Sequence, residues 1–162
     1  MGGSIELTEN QKTYLRMQTV TAVLERARNL ELAKIGLNIP QASVLYCLKV
    51  SEEPMTPMKL SRMMHKQPHT VSALVHRMEA QGLVTTKKDL KRKNWLRVSL
   101  TKKGEESFQR WLTATSVPDV MRCLSKRERD MMYTVSQKLH SKGRELLRRM
   151  QPNPYDGERL FW

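Results

Sequence analysis

"PHTVSALVHRMEAQGLV", residues 68–84, carries two unlike faces at a helical period. Val71, Leu74, Val75 and Met78 recur at i, i+3, i+4 and i+7, the spacing of one apolar stripe along an α-helix. The other face carries His69, Ser72, Ala73, His76 and Arg77, with Glu79 as its single acid near the end. Solvated helix faces are usually rich in Glu and Lys, which favour helix and dissolve well. Short hydroxyls, an alanine and imidazoles instead leave room for close approach to another surface. Pro68 suits a first helical turn and Gly82 a C-terminal stop, so the helix is bounded on both sides.

The flanks give this helix its setting. Thr56-Pro57 places an N-cap hydroxyl before a first-turn proline, which opens a helix to about Met64; Lys66-Gln67 is then a turn. After Gly82 come two strand-like runs, Leu83–Lys88 and Trp95–Leu100, joined by a basic tip. The second run alternates, with Leu96, Val98 and Leu100 on one face and Trp95, Arg97 and Ser99 on the other, as a half-buried strand does. Helix, turn, helix and hairpin in this order are a winged helix-turn-helix, and the opening stretch falls in the recognition position.

Further out, Thr8 with Gln11 is a capping-box pattern that starts a long helix to about Ile35, stopped by Gly36 and Asn38. A short helix, Pro40–Val50, follows. Thr101 caps a helix to about Thr115, and Ser125 with Glu128 is a second capping box that opens a final helix to about Met150. The seam of that last helix is Met132, Val135, Leu139, Leu146 and Met150. The fold class expected is mainly α with a small β-hairpin wing, in one domain over residues 1–162. The winged helix-turn-helix spans about 40–100. The first and last helices carry more apolar surface than so small a winged unit can cover, which points to a shared bundle in a homodimer.

Charge identifies the other partner. The chain of 162 residues has a formal net charge of +13. Between Thr56 and Gly104 there are eight Lys and four Arg against Glu79 and Asp89, a net of +10, so the field is concentrated on the winged segment. A basic nucleic-acid coating protein is the alternative reading. It accounts for the total charge but not for its uneven placement or for the small-residue face.

Other classes find little support. No Gly-rich phosphate loop, spaced acid pair on a credible scaffold or Ser/His/Asp arrangement is present, so no catalytic residue is assigned, no cofactor is expected and the chain does not read as an enzyme. His65, His69 and His76 do not read as a metal site, because Pro68 breaks the helical register between the first two. Two cysteines 76 positions apart make neither a metal spacing nor a disulfide framework. Cys47 falls in an apolar stripe and reads as a core thiol. Cys123, near Arg122, Lys126 and Arg127, is the better candidate for redox chemistry. The amino terminus is not a signal peptide and no segment approaches the length of a membrane span, so a cytoplasmic, nucleoid-associated protein of a bacterium or archaeon is expected.

"MKLSRMMHKQPHTVSALVHRMEAQGLV" followed by "VSLTKKGEESF" resembles the MarR family of bacterial transcription regulators. The first helix and "LSKRERDMMYTVSQKLHSKGRELL" are similar to the family's dimerisation region, placed here at about 8–35 and 101–150. The resemblance implies a winged homodimer on a pseudo-palindromic double-stranded DNA operator, acting as a repressor and often released by a small ligand. Such a ligand would lie between the first helix, the second helix and the winged domain. The chain departs from the family pattern in two places. Counting back from Leu100-Thr101, its usual Asp-Arg-Arg before the second wing strand is Arg92-Lys93-Asn94, and its common Arg after Gly-Leu-Val is Thr86. An acid and a base that usually help to fix the wing are absent, and the tip is more cationic.

A recognition helix points its N-terminal half into the major groove. His69, Ser72 and Ala73 are therefore expected at base edges, where hydroxyls and imidazole bond and alanine meets a thymine methyl. Gln67, Thr70, His76 and Arg77 are expected mainly on phosphates, with Pro68 opening the helix and Thr56 contributing from the preceding one. On the wing, Lys87, Lys91, Arg92 and Lys93 are expected on phosphate, Arg92 being the one suited to a narrow minor groove.

Overall fold

The computed structural model describes residues 6–88 and 96–150. Its elements are α1 (Glu9–Ala33), α2 (Ile39–Val50), α3 (Pro57–Met63), α4 (Pro68–Ala80), β1 (Val84–Lys88), β2 (Leu96–Leu100), α5 (Lys102–Leu112), α6 (Ser116–Met121) and α7 (Lys126–Met150). The fold is mainly helical with a two-stranded antiparallel hairpin, as the periodicity requires.

Most helices begin where a short polar side chain meets an otherwise open N–H. Thr8 caps α1 with Gln11 returning the bond, Thr56 caps α3 through the N–H of Lys59, and Thr101 caps α5 through that of Gly104. Ser125 accepts from the N–H of Glu128, whose carboxylate accepts from the N–H of Ser125 in return. Asn38 plays a different part from the one expected. It does not merely stop α1: it caps α2 in a reciprocal box with Gln41, so α2 starts at Ile39.

The region after the hairpin also differs. The cap at Thr101 predicts a single helix to about Thr115, but α5 ends at Leu112 and a separate short helix, α6, follows. Pro118 sits in the first turn of α6, where a missing N–H costs nothing. Thr115 offers α6 no side-chain cap. The cap comes from α1: the Glu31 carboxylate accepts from the N–H of Thr115 at 2.6 Å, the N–H of Ser116 at 3.0 Å and the Ser116 hydroxyl.

The core lies within the winged unit. It gathers Val44, Leu45 and Cys47 from α2, Leu60 and Met63 from α3, the four stripe residues of α4, Val84 and Val98 from the hairpin, and Phe108 from α5. The strands pair Val84 with Leu100 through Lys88 with Leu96, and Met55 adds one bridge to Val98. Gly104 explains why α5 can seat so closely. A Cβ there would lie 2.0 Å from the carbonyl oxygen of Leu83, so the Leu-Thr-x-x-Gly run needs its glycine. Thr101 ties the same junction by donating its hydroxyl to the carbonyl of Gly82.

The two long helices stand apart from this core. Leu32 is the single buried residue of α1, and α7 has none. Tyr14, Met17, Val20 and Val23 on α1, and Met132, Val135, Leu139 and Leu146 on α7, are all exposed. Among the described residues no helix is long and apolar enough to cross a membrane.

Candidate nucleic-acid interface

Helix α4 buries Val71, Leu74, Val75 and Met78, which fixes its rotation about its own axis. The opposite face is thereby presented outward. Gln67, Pro68, His69, Thr70, Ala73, His76 and Arg77 are exposed, and Ser72 is half-buried at the edge of the stripe. Thr56 does not join this set. It is buried, and its hydroxyl accepts from the N–H of Lys59.

The start of α4 is unlike the other helix starts among the described residues. Gln67 occupies the N-cap position without a side-chain cap bond, there is no acid in the first turn, and no tertiary carboxylate reaches it as Glu31 reaches α6. First-turn N–H groups with no internal partner carry partial positive charge and suit an anion such as phosphate. The side chains around them are small or imidazole, so the backbone can come close.

The hairpin flanks this face. Lys87 and Lys88 are exposed at the end of β1, and the register sets Lys87 opposite Arg97. Lys91, Arg92 and Lys93 fall outside the described residues. The hairpin is tied to α4 by Glu79, whose carboxylate accepts from both the N–H and the hydroxyl of Thr86 at 2.7 Å. These two bonds hold the Glu79 carboxyl below the usual carboxylate range, with His76 adding a smaller attraction. Thr86 thus ties this strand to α4.

A second feature is a cleft of about 270 Å³ between α1, α2 and the winged unit. Its walls include Leu24, Arg28, Ile39, Tyr46, Trp111 and Val117. Tyr46 meets Trp111 edge to face at 5.8 Å, and the Arg28 guanidinium lies 5.6 Å from the Trp111 ring centre. Arg28 also pairs with Glu31 at 2.8 Å. Partial burial raises the Glu31 pKa, but bonds from Ser116, Thr115 and Arg28 outweigh it and bring it down to about 2. Arg28 and Trp111 are 83 positions apart in the chain, and no local pattern marks them as neighbours.

The remaining candidates separate cleanly. Cys47 is fully buried in the core, and burial pushes its thiol up to about 11 despite its own backbone N–H. Cys123 is exposed. Among the described residues no group of three His, Cys, Asp or Glu side chains converges on one point. His69 and His76 lie on α4, whereas His65 lies in the α3–α4 turn and faces His140 of α7, a pairing that the sequence spacing does not suggest.

Residues 35–98 match the model of the MarR family. Over 141 residues the chain is 26% identical to an organic hydroperoxide resistance transcriptional regulator of Bacillus subtilis, covering 83% of this chain and 92% of that protein. The solved structure of an organohalide-sensing transcriptional regulator in its ligand-free form is 25% identical and covers all of this chain and 95% of its own, with a TM-score of 0.86. The fold is also similar to that of a mutant Escherichia coli MarR solved with operator DNA, at 16% identity over 81% of this chain and 95% of that one, with a TM-score of 0.74.

Proposed function

We propose that this chain, a transcriptional regulator of the MarR family, is a sequence-specific repressor that binds a pseudo-palindromic double-stranded DNA operator as a homodimer. The observation that carries the reading is the outer face of α4. It is exposed, built of small and imidazole side chains, open at its N-terminus, and flanked by the cationic strands of the wing. The N-terminal half of α4 enters the major groove, with His69, Ser72 and Ala73 at base edges and Gln67, Thr70, His76 and Arg77 on phosphates. Lys87 follows the backbone, and Lys91, Arg92 and Lys93 extend the same contact.

The homodimer is supported by the exposed apolar rows on α1 and α7, which a second copy would cover. A small, largely apolar effector is assigned to the Arg28–Tyr46–Trp111 cleft, which lies where α1 meets the winged unit. Occupancy there would alter how the dimer bundle holds α4. That one solved relative senses organohalides supports a ligand-responsive regulator, without fixing the ligand.

Selection from a pool of random duplexes tests the proposal. A two-fold symmetric motif with half-sites about one helical turn apart is the expected product. The dimer should also keep that duplex against excess random DNA. Binding with no enriched motif, lost equally to any competitor, would favour a coating protein instead. Light scattering at micromolar concentration should give about twice the chain mass; a folded monomer would remove the shared bundle from the scheme.

A further inference from the structure

Gln41 is buried on α2 beside Ala42, Val44, Leu45 and Cys47, and both ends of its amide are bound. Its Oε1 accepts from the N–H of Asn38 at 3.0 Å, one half of the box that caps α2. Its Nε2 donates to the Oε1 of Gln81 at 2.6 Å, 40 positions away at the C-cap of α4. The same start of α2 is tied to α1, where the Asn29 side-chain oxygen accepts from the N–H of Ile39 at 3.1 Å. Beyond Gln81, Lys103 of α5 donates to its backbone carbonyl at 2.7 Å. A row of hydrogen bonds thus links α1, the first turn of α2 and the end of α4. We propose that Gln41 and Gln81 are positioning residues, whose amide pair sets how α4 is held relative to α1 and thereby which half-site spacing the dimer accepts.

The apolar stripe of α4 packs into the core by contacts that have no preferred direction, so they resist small shifts of the helix weakly. A hydrogen bond is directional and weakens steeply when bent or stretched. Movement of α4 away from α2 would also strand the Gln41 amide as a buried unpaired donor, which costs more than an ordinary bond returns. Fixing register between packed elements is the best-attested use of a buried polar pair. Its place on the helix matters as well. With 13 residues α4 is about 20 Å long, and the pair grips its C-terminal end, opposite the end assigned to the groove. Gln81 therefore acts on where that other end points rather than on DNA directly.

The consequence for half-site spacing rests on the DNA-binding reading above; the holding of α4 does not, and the two are measured separately. Four variants separate the bond from the residues that make it. In Gln41→Glu the cap of α2 survives, and Gln81 can turn its amide to donate to the new carboxylate. In Gln81→Glu the new carboxylate still accepts from Gln41. Gln41→Glu combined with Gln81→Glu sets two carboxylates against each other with no donor between them, and Gln81→Leu removes the acceptor. The pair is intact in the two single Glu variants and broken in the other two.

The first readout is affinity for the selected operator against the same duplex with one base pair added between its half-sites. Wild type and the intact-pair variants should prefer the original spacing roughly tenfold or more, and the broken-pair variants should lose most of that preference. The second readout uses no DNA. A spin label on exposed position 76, through His76→Cys in a Cys123→Ser background with Cys47 buried, reports the distance between the two α4 helices of a dimer. That distance should be narrowly distributed when the pair is intact and broadened when it is broken. A lower Tm in the broken-pair variants, with spacing preference and distance distribution both unchanged, would overturn the proposal. If wild type selects no operator, the function proposed above fails and the distances alone decide this inference. Broadening confined to the broken pairs then supports it, and equal distributions in all the variants overturn it.

Discussion

The Glu79 carboxylate, on the last turn of α4, accepts from both the backbone N–H and the hydroxyl of Thr86 on β1, each at 2.7 Å. One side chain thereby ties the helix to the hairpin that flanks it through two bonds. Thr86→Val should remove the hydroxyl bond, and Glu79→Gln should weaken both. Amide exchange at Thr86 and its strand neighbours should quicken several-fold in each variant, with α4 little changed. The bonds hold the Glu79 carboxyl below its ordinary value of 4.5, so its contribution is complete above that pH and is lost as pH falls through the lowered value. Acid should loosen the wild-type hairpin more than that of Glu79→Gln. Equal exchange in all three proteins would show that the hairpin is fixed by other contacts.

Glu31 gives a second pH dependence, at the junction of α1 and α6. Its carboxylate caps α6 and pairs with Arg28, and its pKa lies at about 2 against an ordinary 4.5. A depressed carboxylate stabilises the folded state above the unfolded value and ceases to do so as pH falls through the folded one. The urea midpoint should therefore decline between about pH 4.5 and 2 through this group. Glu31→Gln should lower the midpoint at pH 7 and flatten the decline. A variant with the wild-type pH profile would mean that α6 does not depend on this cap.

The two thiols should behave oppositely. The thiolate is the reactive form, and Cys47 is both buried and raised to about 11. Ellman's reagent should label Cys123 alone in the native protein and both cysteines in denaturant. Fast labelling that persists in Cys123→Ser would require Cys47 to be accessible and would contradict the packing of α2.

What the sequence revealed, and what it concealed, follows from the distance between partners. Thr8, Thr56, Thr101 and Ser125 each find their backbone partner three residues on, so the helix starts were legible as spacings. The α4 stripe was legible because a helix repeats at a fixed period. By contrast, α6 is capped by Glu31 from 84 and 85 positions away, and its existence as a separate helix was missed. Thr86 read as the loss of a wing-fixing base, because its bond to Glu79 spans a turn that the sequence does not orient. The cleft residues Arg28 and Trp111 likewise meet only through the packing of α1 against the winged unit.

The sharpest test of the proposed DNA-facing surface compares two neighbours on α4. Ala73 is exposed on the outer face, and Leu74 is 6% exposed within the stripe. Ala73→Glu keeps helix propensity and touches no core residue, so its Tm should stay close to that of wild type. It should nevertheless abolish operator binding, because a carboxylate would meet the duplex at close range. Leu74→Ala should do the reverse. Removing a buried leucine costs about 2–5 kcal/mol of stability, while the fraction that remains folded should still bind. Ser72→Ala and His69→Ala should fall between, relaxing discrimination at particular operator positions by roughly 1–3 kcal/mol without altering stability. The measurements are Tm and operator affinity at one fixed salt concentration, since phosphate contacts make affinity strongly salt-dependent. Normal operator binding by folded Ala73→Glu would remove α4 from the interface and with it the proposed mode of recognition.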